Sequence, residues 1–335
     1  MSNQNHSRVG SIIGVVVSLS LLALSGWVVL NRQAVFDQWS LSQYQPPAEV
    51  ATIADRTALS DKGKFYFYTS QPEVDSAAKF NTDCQRQEAQ SAILGCYTGG
   101  RIYIYDVTNP QLAGIKEVTA AHEMLHAAWD RMSPTEQKSV GLLLEAEYAT
   151  LNSPDLNARL AYYQRAEPGK RDNELHSIIG TEAASLSPQL EAHYSQYFTD
   201  RSKVVALHNS YQQVFDGISA QSEALLTELN SLASDIKASA IEYNAESASV
   251  SQESQALKDS ASRLDRTSSV AINQYNAQRQ ALIARIDQLE TLRTDINTKS
   301  DQYNTKVAQY EKLVIRSNEL TQSIDSALAA PVPSP

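Results

Sequence analysis

The sequence predicts an α+β domain with a short sheet, set between one apolar N-terminal helix and a long α-helical hairpin. Three observations carry that expectation. An uncharged stretch, SIIGVVVSLSLLALSGWVVL, fills 11–30. Glycine and proline, frequent earlier in the chain, then vanish: no glycine follows Gly217, and no proline lies between Pro188 and Pro331. Between those two regions, short strand-like alternations mix with amphipathic helical patterns and turn residues.

The apolar stretch at 11–30 is long enough to cross a bilayer as a helix. It follows a short polar tail, 1–10, in which Arg8 is the one certain side-chain charge, and Arg32 nearly balances that charge on the other side. Ala23-Leu24-Ser25 would suit a cleaved signal peptide. The apolar run continues through Trp27-Val28-Val29-Leu30, which favours an uncleaved anchor. The expectation is therefore a single-pass protein of the cell membrane, held by the bilayer through 11–30, with the rest of the chain extracytoplasmic. The polar segment 31–47, ending in Pro46-Pro47, reads as a linker.

Residues 48–217 are enough for one core of their own. Within them, KFYFYTS at 64–70 and RIYIYDV at 101–107 alternate in the manner of strands. The chain's two cysteines, Cys84 and Cys96, fall between these segments. An even count at this spacing predicts a disulfide and an oxidising compartment. Such a loop closure contributes roughly 3 kcal/mol in the chain-entropy picture.

From 218 to 328 the apolar residues step by three and four: Leu225, Leu229, Leu232 and Ile236; Leu282, Ile286 and Leu289; Tyr303, Val307, Tyr310 and Val314. That spacing predicts two long helices, 218–262 and 268–328, folded back as a coiled-coil hairpin that can take a partner or self-associate. Ser, Ala and Gln at seam positions leave partial disorder as the competing reading, and the tail 329–335 is expected to be unstructured.

The chemistry concentrates in VTAAHEMLHAAWDRM at 118–132. The segment has helical apolar spacing, and residues four apart on a helix share a face. His122 and His126 therefore point the same way and can close on one ion. Glu123 lies about 100° round the helix, placed to take a proton from a water at the metal. Zinc needs a third protein ligand and keeps one position open. The pattern that adds a third His six residues after the second is excluded, because Trp129 and Met132 occupy its places. The next helical segment, DNELHSIIGTEAASL at 172–186, carries three candidates: Glu174, His176 and Glu182. Pro168-Gly169 breaks the chain before it, and Asp172 or Asn173 offers an N-cap.

HEMLH, followed by Asn173-Glu174-x-x-Ser177, resembles the gluzincin metallopeptidases, over roughly 118–186 alone. The resemblance implies a small zincin-like catalytic domain with one zinc ion held by His122, His126 and Glu174. It further implies Ser177 as the small residue between two close helices, and an edge strand beside the zinc that binds substrate as an added strand. The strand at 101–107, just before the motif, is the expected candidate. The family's Asp, which orients a zinc-bound His, is replaced here by Ile178. Glu182 then becomes the expected substitute or the rival third ligand. His176, Tyr162 and Tyr163 are candidate donors to the transition state.

The expected activity is a zinc metalloendopeptidase acting on a peptide or protein substrate, with Glu123 as general base. The competing class is an envelope scaffold whose coiled coil binds a partner beside a degenerate zinc domain. A net charge of −10 without a basic stripe argues against nucleic acid. No phosphate-cradling glycine loop appears, nor a motif for a Ser or Cys nucleophile.

Overall fold

The computed structural model describes residues 4–85, 92–151, 153–166 and 168–328; the side chains of 4–15 and of Ala166 lie outside that description. The expected tail 329–335 lies outside it too, as do residues 1–3 of the expected N-terminal tail. The first helix, α1, is Gln4–Leu30, and α2 follows at Arg32–Gln43 after a break at Asn31. Among the described residues no single helix is long and apolar enough to cross a membrane. Val16–Leu30 and Arg32–Gln43 reach that length only together, with an 82° bend between them. The first five residues of the expected span fall outside the described side chains.

The segment expected to be a linker thus contains a helix. The inner face of α2 is fixed by polar contacts. Asp37, 3 % exposed, accepts from Arg131 Nε at 2.9 Å and Nη2 at 2.7 Å. Ser40 donates to the Thr69 carbonyl at 2.7 Å. After α3 (Ala48–Arg56) comes α4 (Asp61–Thr69), which covers most of the segment expected to be a strand at 64–70. Local alternation lost to a cap and a tertiary contact. The Ser60 side chain accepts from the Gly63 N–H, and Gly63 lies so close to the Tyr197 carbonyl that a Cβ there would overlap it. Phe67 is fully buried while Tyr66 and Tyr68 pack against the core, so the aromatic residues wrap a helix.

The sheet has three strands, β1 (Glu73–Asp75), β2 (Gly95–Thr98) and β3 (Arg101–Tyr105), in the order β1-β3-β2. β1 runs parallel to β3, and β2 antiparallel to it. Gly99 and Gly100, at φ of 59° and 78°, make the two-residue β2–β3 hairpin turn, which demands positive φ at both positions. The expected strand at 101–107, observed as β3 over Arg101–Tyr105, is therefore the central one, and β1 and β2 are the edges. Helix α5 (Ala77–Asp83) ends at Cys84, which is disulfide-bonded to Cys96 on β2, Cα to Cα 6.0 Å.

Helix α6 (Ile115–Asp130) is the centre of the unit. It starts at Gly114, whose φ of 103° suits glycine, and it packs on α3, α4, β2 and β3. Then follow α7 (Pro134–Leu151), α8 (Pro154–Ala166), α9 (Arg171–Glu182) and α10 (Pro188–Tyr194). The α6–α9 pair carries the core: Met124 and Leu125 meet a layer containing Leu175, Ile178 and Ile179, all buried. Each such side chain contributes roughly 1.5–3 kcal/mol on burial. Gly180 permits the close approach, since a Cβ there would stand 2.5 Å from Leu125 Cδ1 and 2.6 Å from Tyr194 Cε1.

The last two helices are α11 (Ser202–Ala261) and α12 (Ser269–Ile324). By contacts the chain divides into two compact units, 1–214 with 320–335, and 215–319. Composition placed all of 218–328 in the rod, but from Leu320 the chain belongs to the first unit. There, Leu320 is buried, and Asn81 donates to the Ser326 carbonyl at 2.9 Å and accepts from its hydroxyl at 2.6 Å. Within the second unit the two helices pair antiparallel. Arg285 reaches Glu246 at 2.6 Å and Ser249 at 2.9 Å, and Lys306 reaches Glu228. From Arg285 to Lys306 is 21 residues forward, and from Ser249 to Glu228 is 21 back, so the register holds without a slip.

Candidate metal centre

Helix geometry puts His122 and His126 on one face of α6, and the α6–α9 packing brings Glu174 opposite them. The two Nε2 atoms lie 3.1 Å apart. Glu174 Oε1 is 3.6 Å from His126 Nε2, and its Oε2 is 3.9 Å from His122 Nε2. All the candidate donor atoms fall within 4.8 Å of one another. Separations of this size suit donors about 2.1 Å from one shared centre.

The orientation of His126 has a clear cause. Its Nδ1 lies 3.0 Å from Asn173 Oδ1 and 3.2 Å from Ser177 Oγ. The Asn173 oxygen can only accept, so Nδ1 carries the proton and the Nε2 lone pair faces His122 and Glu174. Burial holds the His122 imidazole well below its ordinary pKa, with neighbouring His126 adding to the effect. Burial likewise lowers His126 to about 4, against the opposing hydrogen bond that its ring donates to Asn173. Both rings are neutral at pH 7, the state that ligates. Two neutral rings presenting nitrogens to each other beside a buried carboxylate make an electron-rich hollow, which a shared proton or a cation can fill. His122, His126 and Glu174 can hold a metal ion. No family model, no curated protein and no solved structure matches the chain.

The remaining predicted residues separate. Glu123, 6 % exposed, lines the same cavity of about 180 Å³ as the three candidate ligands, together with Gly95, Cys96 and Tyr97 of β2 and Tyr162 and Tyr163 of α8. Gly95 lies directly over Glu123: a Cβ there would meet Glu123 Oε1 at 2.8 Å and Thr119 Cγ2 at 2.6 Å. The strand edge beside the site is therefore β2, not the segment 101–107 that the sequence suggested, because β3 is paired on both sides.

His176 is fully buried on the far side of α9. Its Nε2 lies 2.9 Å from His193 Nε2, and its ring packs against Trp129 and Tyr194. Two residues beyond Glu174 is about 200° round the helix, which turns the ring away from the cavity. Glu182 does not join the centre either. It accepts a bidentate pair from Arg159 at 2.6 and 2.8 Å and faces His208 at 3.9 Å. Eight residues of helix place it about 12 Å along the axis from Glu174. The half-buried carboxylate that looked like a second partner for the histidines is instead half of an ion pair.

Asn173 takes the part expected of Glu182. Neither Asp172 nor Asn173 is the expected N-cap, because α9 starts earlier, with Lys170 at the cap position and no side-chain cap. The available signal was its spacing: Asn173 and Ser177 are four apart, so they share one face of α9.

Proposed function

We propose that the chain is a membrane-anchored, extracytoplasmic zinc metalloendopeptidase with a zincin-like catalytic domain. The observation that carries the reading is the burial of Glu123 in the cavity that His122, His126 and Glu174 share, beneath a strand edge. Two imidazoles and one carboxylate are a donor set suited to catalytic zinc with an open position. When bound, zinc supplies Lewis acidity to the attacked carbonyl and to the attacking water.

The protein's own groups do the rest. The outer edge of β2 offers backbone N–H and C=O groups to an extended peptide, which adds to the sheet. Gly95 leaves that strand flush over the base, so the peptide can lie within its reach. Glu123 accepts the proton of the attacking water on a carboxylate oxygen and delivers it to the departing amine. Tyr162 and Tyr163 line the cavity, and in this reading one of their hydroxyls donates to the oxyanion that develops on the carbonyl. Asn173 and Ser177 hold His126 in the tautomer that leaves Nε2 to the metal.

The disulfide between Cys84 and Cys96 supports the extracytoplasmic assignment. In this reading α1 is the bilayer anchor, and the antiparallel pairing of α11 and α12 is a coiled coil available to a partner. The test is Glu123→Gln on a quenched peptide library. The variant keeps its metal and its fold while hydrolysis collapses, because an amide cannot take the water's proton. Turnover at the wild-type rate would remove Glu123 as the base.

A further inference from the structure

Helix α2 is amphipathic in the wrong sense for a helix surrounded by water. Its inward face is polar: Asp37 and Ser40 are 3 % and 4 % exposed. Its outward face is apolar: Val35, Phe36 and Trp39 are 37 %, 50 % and 59 % exposed. Buried polar groups and exposed large apolar ones are the informative departures from the usual pattern.

The inward polarity is well satisfied. Asp37 holds both the Arg131 fork and Gln33 Nε2, the latter at 3.0 Å. Ser40 donates to Thr69 and accepts from Gln71 Nε2 at 3.1 Å. These bonds fix α2 rigidly on the unit, so its apolar face cannot turn inward to escape water. That face also continues an exposed apolar surface. Leu22, Val29 and Leu30 of α1 are 69 %, 69 % and 86 % exposed, and Trp27 stands at the break beside Asn31. The two helices meet at 82°. A helix along the bilayer normal followed by one at nearly a right angle puts the second helix in the plane of the membrane surface. Indole and phenyl rings at such a junction match the aromatic belt of the headgroup region.

We propose that α2 is a lipid-contacting foot, whose Val35, Phe36 and Trp39 enter the interfacial layer of the bilayer that α1 anchors. The proposal rests on the anchor reading above and adds a second, oriented contact to it. An interfacial helix of this kind buries its apolar side about 5–10 Å into the headgroup and acyl boundary. Arg32, on the same outward side of the helix, is placed to meet lipid phosphates. The consequence reaches the metal centre, because Arg131, which clamps Asp37, also donates to the Tyr97 hydroxyl at 3.3 Å, and Tyr97 lines the cavity. The foot therefore sets the catalytic cavity at a fixed orientation to the membrane, where a loose linker would leave it free.

The experiment uses the full chain in phosphatidylcholine vesicles that carry a nitroxide-labelled lipid. With Cys84 and Cys96 bonded to each other, no free cysteine competes for label. Trp39→Cys, Phe36→Cys and Ala34→Cys each receive an environment-sensitive fluorophore, and circular dichroism confirms the fold of each. Positions 36 and 39 should lose much of their fluorescence to the lipid-borne quencher, while 34, on another side of α2, loses little. A chain that floats with the vesicles but shows equal quenching at all three positions keeps its anchor and overturns the foot. A chain that does not float overturns the anchor reading, and the foot with it.

Discussion

Replacing Asn173 by Ala removes the acceptor that fixes His126, and the structure sets the size of the effect. The Nδ1–Oδ1 contact is 3.0 Å between two buried groups, and Ser177 Oγ stands 3.2 Å from the same nitrogen. Losing an outer partner of a metal-bound His typically weakens the metal ten- to a hundredfold, or about 1.4–2.7 kcal/mol. With Ser177 still present as a fallback acceptor, Asn173→Ala should fall near tenfold. The double variant Asn173→Ala/Ser177→Ala, which leaves the ring with neither, should approach a hundredfold. Zinc affinity is read by competition against a chromophoric chelator at pH 7, with urea unfolding of the metal-free proteins as the control for general damage. Wild-type affinity in the double variant would refute the reasoning, because His126 would then need no orienting partner.

Three further outcomes follow from the same geometry. Glu182→Gln should leave zinc affinity unchanged while lowering stability, since it strips the Arg159 fork of its charged partner; a loss of metal affinity on titration would contradict the assignment. Gly95→Ala should reduce peptide hydrolysis far more than zinc content, because the atoms nearest the added Cβ belong to Thr119 and Glu123, with Glu123 Oε1 at 2.8 Å; equal losses of both would count against it. Burial lowers His193 to about 4 in the folded protein, against an ordinary value of 6.5. Between those two values the unfolded chain binds a proton that the folded one does not, so metal-free stability should fall as pH drops through that window. His126, at about 4, adds to the same trend. Urea midpoints at pH 7 and 5 check it, and a higher midpoint at pH 5 would be the wrong sign.

What the sequence made legible was what a single helix determines by itself. The pairing of His122 with His126 is an i,i+4 relation, independent of the rest of the fold. Glu174 came through the short Asn-Glu-x-x-Ser resemblance, and the three residues do converge. What stayed hidden depended on contacts between distant segments. Asn173 lies 47 residues from the ring it orients, and nothing local distinguishes that task from helix capping. Glu182 was expected as the orienting partner or the rival third ligand because Arg159, which it actually pairs with, sits on a different helix. At 64–70 the alternating aromatic residues read as a strand, and only the cap from Ser60 and the fit of Gly63 under the Tyr197 carbonyl decide for helix. The strand expected at 101–107 is observed over Arg101–Tyr105, but its central place needed the pairing with β1, whose three residues carry little pattern. The polar appearance of 31–47 concealed α2, because two of its polar residues, Asp37 and Ser40, face inward to Arg131 and Thr69.

The most direct test of the account is the zinc content of the purified full chain and four single variants, measured by elemental analysis after dialysis against trace zinc. The account predicts one zinc per chain in the wild type, in Glu123→Gln and in Glu182→Ala, and none in His126→Ala or Glu174→Ala. Full occupancy in Glu174→Ala, or loss of zinc in Glu182→Ala with its fold intact, would contradict the His122, His126 and Glu174 centre.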